Sequence, residues 1–160
     1  MRKTLICCAL AVTAAVGVAG CGGSSSGGAP ANPQSDPKTT ATAFIAALKS
    51  GDVNEVCKYV QVPPSQGTCA DGLGPALQQD PFSGDATVVN DAVSGDKALV
   101  VTTGTFSVLG VSISNTDSNA GLPSGGSSFD DAYAAAQGNP KSPDLALVKV
   151  GDNWMIVLGS

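Results

Sequence analysis

The chain has 160 residues, with 8 Lys+Arg against 13 Asp+Glu and no histidine. That length holds one domain once the ends are set aside, and the formal charge of −5 excludes the clustered basic surface that nucleic acid demands and the polybasic segment that binds anionic lipid by charge alone. The missing histidine removes the commonest general base near neutral pH and the commonest metal ligand.

Residues 1–20 read as an export signal: Met1-Arg2-Lys3 is a positive start, and Leu5 to Val18 is apolar apart from Thr13. The run is short of the about 20 residues that span a bilayer comfortably. It ends in Val18, Ala19 and Gly20 before Cys21. This junction resembles the lipobox of bacterial lipoproteins, in which the cysteine thiol is acylated and the preceding peptide bond is cut. The resemblance implies that Cys21 becomes the lipidated first residue and that the protein is held on the outer face of the cell membrane. Several acyl chains on one residue make such attachment durable, where one chain gives only marginal binding. A chain beginning at Cys21 loses Arg2 and Lys3 and carries a formal charge of −7.

Cysteine usage follows from this reading. Cys7 and Cys8 leave with the signal and Cys21 carries lipid, so Cys57 and Cys69 remain to form a disulfide outside the cytoplasm. Two cysteines without histidine are too few for structural zinc, and a nucleophilic thiol lacks its usual base.

Residues 21–37 form the lipidated cysteine and a flexible linker. The tract from Gly22 to Thr40, GGSSSGGAPANPQSDPKTT, has no large apolar residue and spans roughly 25 Å root-mean-square as flexible chain. The domain proper occupies 38–160. Asp36-Pro37 caps a first helix whose stripe is Ala41, Phe44, Ile45 and Leu48, closed by Gly51. Asp52 and Glu55 have capping-box spacing for a second helix, with Val53, Val56, Cys57 and Val60 as its inner face and Val62-Pro63-Pro64 as its end. A poorer third helix runs from about Thr68 to Gln79, weakened by Gly72, Gly74 and Pro75. Beyond Pro81 the period changes to that of strands. Ala86–Val93 and Lys97–Val108 pair around Ser94-Gly95-Asp96, and Leu145–Val150 and Trp154–Leu158 pair around Gly151-Asp152-Asn153. Between the two hairpins lies a low-complexity insertion, 112–144, long for a compact domain. Inside it Ser128 and Asp131 cap a short helix with Phe129, Ala132, Tyr133 and Ala136 on one side, ending at Gly138.

Helices followed by an antiparallel sheet predict an α+β domain in which the N-terminal helices pack on one face of a four-stranded sheet. The stretches ATAFIAALKSGDVNEVCKYV, VNDAVSGDKALVVTTGTF and LALVKVGDNWMIV resemble small actinobacterial lipoproteins with a nuclear-transport-factor-2-like, cystatin-like domain. The resemblance covers most of residues 38–158 apart from the insertion, and it implies a curved, mainly antiparallel sheet.

Chemistry is sparse. In ketosteroid-isomerase-like enzymes of that superfamily an Asp base and a Tyr/Asp pair line a conical pocket. Here Tyr59, Tyr133, Asp91 and Asp130 are the pool, and none sits in a recognisable motif. Asn115-x-Asp117-x-Asn119 begins like a calcium loop, but Ala120 and Gly126 stand where an EF-hand needs Gly and Glu. The single tryptophan, Trp154, suits core packing on the last strand. No catalytic residue, metal site or cofactor is expected. The leading expectation is a non-enzymatic, membrane-tethered module that docks an envelope protein. Its alternatives are a carrier of a small apolar ligand between helices and sheet and, more distantly, an isomerase-type enzyme. Nucleic acid is not expected as a partner.

Overall fold

Folded structure begins where the apolar spacing does. The computed structural model describes residues 32–62, 67–139 and 141–158, and Ala31–Ser160 pack as one compact unit. Helix α1 runs Pro37–Ser50, with the Asp36 side chain accepting from the Thr39 amide and Gly51 closing the far end. The expected stripe of Ala41, Phe44, Ile45 and Leu48 is buried.

The second helix is shorter than its periodicity suggests. Helix α2 covers only Val53–Cys57. The chain then extends as β1, Val60–Gln61, which lies parallel to the last strand. Val60 therefore reaches the core from a strand. Val60 and Val62 are β-branched and Val62 directly precedes Pro63-Pro64, which favours extended backbone, and the neighbouring edge of the last strand supplies the partners. Helix α3, Cys69–Gln79, starts at the Thr68 cap and carries Pro75 inside it.

Strands β2 (Ser83–Ser94) and β3 (Lys97–Val108) form the long hairpin. Strand β4 (Val111–Asn115) folds back on the second half of β3. After helix α4 (Phe129–Gly138), β5 (Asp144–Val150) pairs with the first half of β3, and β6 (Asn153–Val157) pairs with β5. The sheet thus has six strands, not four, in the order β1-β6-β5-β3-β2, with β4 beside β3. All pairs except β1–β6 are antiparallel. Residues 112–144 are correspondingly no mere passenger: they supply most of a strand and a helix.

Alternation along β3 sorts the core. Ala98 and Val100 join Phe44, Leu48, Val56, Leu77, Leu147, Trp154 and Ile156 on the side of α1, α2 and α3. Leu99 points the other way and packs with Tyr133 and Ala146. Helices therefore cover both faces, and the expectation of a single helical layer needs that correction. Helix α4 supplies the second cover, held by the Tyr133 hydroxyl donating to the Leu147 carbonyl at 3.1 Å and by Lys97 bonded to Asp130 at 2.9 Å. The β2–β3 ribbon shifts register at a bulge between Val88 and Asn90, a device that bends a strand and increases its twist. Gly104 tightens it further: its φ is +125°, and a Cβ there would lie 2.0 Å from the Asp85 carbonyl oxygen.

Candidate binding cavity

A sheet whose long strands outrun their neighbours leaves a space between itself and the helices laid across it. Here β5 covers only Lys97–Val101 of β3, while Gly104–Val108 pair with β4. The helices above that second half flank a partly open cavity of about 650 Å³. Its walls are Phe44, Ile45 and Leu48 of α1, Leu73 and Leu77 of α3, Phe106 and Val108 of β3, Ile113 of β4, and Phe82 and Leu158. Phe82 stacks on Phe106 with ring centroids 5.9 Å apart. The volume lies within the range of small-molecule sites, and so does the mainly apolar lining.

Polar residues gather where β4 ends and β5 begins: Thr102, Gln137, Asn139, Ser142 and Asp144 all line the cavity there. Several of these groups are already committed. The Thr102 hydroxyl donates to the Pro143 carbonyl at 2.5 Å, and Asn115 Nδ2 donates to the Thr102 carbonyl at 2.7 Å. Asp144 is less well served. It is 7% exposed, Ser142 Oγ reaches one carboxylate oxygen at 3.4 Å, and Oδ1 is buried without a hydrogen-bond partner. Burial raises its pKa from 3.8 to about 6, against a smaller lowering by the Ser142 hydroxyl. Gly121 makes this packing possible, because a Cβ on it would lie 1.5 Å from Asp144 Oδ2. Among the described residues Asp144 is the one ionisable side chain in the lining.

The residues singled out by sequence fall elsewhere. Val18, Ala19, Gly20 and Cys21 lie outside the described residues. Cys57 and Cys69 are bonded, with Cα atoms 5.7 Å apart, and tie the end of α2 to the start of α3. Tyr59 is half-buried and its carbonyl accepts from the Ile156 amide, Tyr133 belongs to the opposite face, Asp130 pairs with Lys97, and Asp91 stands in β2 opposite Val100. None of these four lines the cavity. Asn115 and Asp117 accept from the amides two residues on, Asp117 and Asn119. These are successive Asx turns, and no cluster of metal-binding side chains occurs among the described residues. Trp154 is buried in the main core. Asp144 carries no local motif. The signals available for it in the sequence were a carboxylate opening an apolar strand and a Ser-Pro pair before it.

No helix among the described residues is long and apolar enough to cross a membrane. No family model matches the chain, and no curated protein does. Among solved structures it is similar to a candidate dehydratase from the NTF2-like family of Streptomyces avermitilis, at 20% identity over 73% of this chain and 86% of that one, with a TM-score of 0.37.

Proposed function

We propose that this chain is an extracytoplasmic lipoprotein whose domain binds a small apolar molecule in the cavity between its helices and its sheet, without catalysing a reaction on it. The cavity carries this reading. A volume of about 650 Å³ walled by side chains of α1, α3, β3 and β4 is the arrangement that buries an apolar ligand. It moves ligand binding ahead of the protein-docking role expected from the sequence alone. One acid stands in the lining with no partner base or second acid among the described residues, which favours binding over acid–base chemistry.

Attachment through lipid on Cys21, behind Val18-Ala19-Gly20, belongs to the same proposal, as does membership among the small actinobacterial lipoproteins with a nuclear-transport-factor-2-like domain. Both rest on the sequence. The binding reading is tested with a neutral apolar fluorophore, diphenylhexatriene, titrated into the folded unit Ala31–Ser160. Saturable emission at one site per chain, abolished by Leu77→Trp, which fills the cavity wall, is the expected result. Emission no greater than that with an unrelated acidic protein overturns the proposal.

A further inference from the structure

Leu109 occupies a position that turn chemistry ordinarily gives to a different residue. With Gly110 it makes the two-residue turn between β3 and β4, where Val108 pairs with Val111. Both turn residues have positive φ, +51° and +74°, the pattern of a type I′ hairpin turn, whose central positions are dominated by Asn, Asp and Gly. A leucine there is strained, and it is the one non-glycine residue with positive φ among the described residues. Gly110 seats the turn against the end of α3, since a Cβ on it would lie 3.2 Å from Asp80 Oδ2.

That strain puts an apolar side chain on the rim of the cavity. Four large apolar side chains are exposed among the described residues: Val93, Leu109, Val150 and Leu158. Two of them, Leu109 and Leu158, line the cavity and are 36% and 37% exposed. Behind this rim the wall of Phe44, Ile45, Leu77, Phe106 and Ile113 has no charged group. Asp144 stands opposite Val101 in the register of β5 on β3, which turns its side chain to the other face of the sheet with Leu99 and Ala146. Neither lysine nor arginine lines the cavity among the described residues. A polar group carried inside would lose its hydration, whereas a hydrocarbon chain gains by leaving water. A ligand swallowed whole would leave both rim leucines wet. One that runs out past the rim covers them.

We propose that the cavity takes the single hydrocarbon tail of an amphiphile, tail first, with the polar head left in water beyond Leu109 and Leu158. This rests on the binding function proposed above and names the ligand class for it. The test displaces diphenylhexatriene from the folded unit Ala31–Ser160 with decyl and dodecyl amphiphiles below their micelle concentrations, each with a maltoside or a phosphocholine head. Two further methylenes in the tail should tighten binding by about tenfold. Exchanging the heads should change it by no more than roughly threefold, because a head that stays outside keeps its hydration. Leu109→Asn installs a residue that the turn favours, so it should melt at the wild-type temperature or slightly above it. It should nevertheless bind dodecyl maltoside about fivefold more weakly, through loss of the leucine contact. Leu109→Met should keep the wild-type affinity. Maltosides that fail to displace the probe, or displacement that ignores tail length, overturn the ligand class. Unchanged affinity in Leu109→Asn overturns the role of the rim. If the fluorophore itself fails to bind, the cavity function fails, and this inference with it.

Discussion

At Asp144 burial and charge act against each other. Its pKa is raised to about 6 by desolvation, above the 3.8 it has when unfolded. The folded state therefore holds the proton more tightly than the unfolded state. Its contribution to stability is fully present below about pH 4 and is lost as pH rises through about 6. Asp36 runs the other way, held below its ordinary value by hydrogen bonds from Thr39, so the two must be separated by a variant. Asp144→Asn removes the charge and keeps the shape. Urea denaturation at pH 4 and pH 8 should show the variant gaining on the wild type by on the order of 2 kcal/mol at the higher pH, after allowance for solvent screening. Little difference should remain at pH 4. A gap that does not change with pH contradicts the assigned burial cost. Neither Asp144 nor Gly121 was legible beforehand, because the contact joins a loop to the first residue of β5, 23 residues on, with no shared period or motif.

Among the elements, α3 depends most on its surroundings. Gly72, Gly74 and Pro75 all lie within it, and Pro75 lacks the amide that would bond one turn back. Its hold on the fold is the packing of Leu73 and Leu77 and the Cys57–Cys69 bond at its first residue. Replacing both cysteines by alanine should cost about 3 kcal/mol by the loop-entropy argument, measured by guanidinium denaturation, and reductant should reproduce the loss in the wild type. Because α3 walls the cavity, diphenylhexatriene should bind more weakly in the reduced protein as well. Undiminished stability after reduction would remove the bond from this account. The helix itself was legible in its extent, from about Thr68 to Gln79, whereas the capping role of Thr68 came from the structure. Helix α1 was legible in full, since Asp36, Gly51 and the stripe between them all act within one turn of their partners. Strands β1 and β4 were not. Two residues have no period, and the five of β4, VSISN, alternate too briefly among serines to stand out from a loop.

For the whole molecule, the proposed function joins a terminus and a fold that the sequence expresses separately. The export signal, Cys21 and the linker read as consecutive segments, so Cys21→Ser should release the protein to the medium or leave it as unprocessed precursor. Fractionation of expressing cells measures this, and unchanged size with unchanged membrane retention would contradict lipid anchoring. The fold class was likewise readable, because helical spacing gives way to strand alternation after Pro81 and α+β packing follows. Local rules were enough for the caps of α1 and α4, the hairpin turns, and the pairing of Cys57 with Cys69. Long-range packing was needed to establish that β1 joins β6 in parallel, that α4 covers the second face, and that the carboxylate opening β5 is left half-satisfied beside a cavity. Each of those depends on groups distant in the chain meeting across a sheet, where burial and geometry, rather than residue spacing, set the outcome.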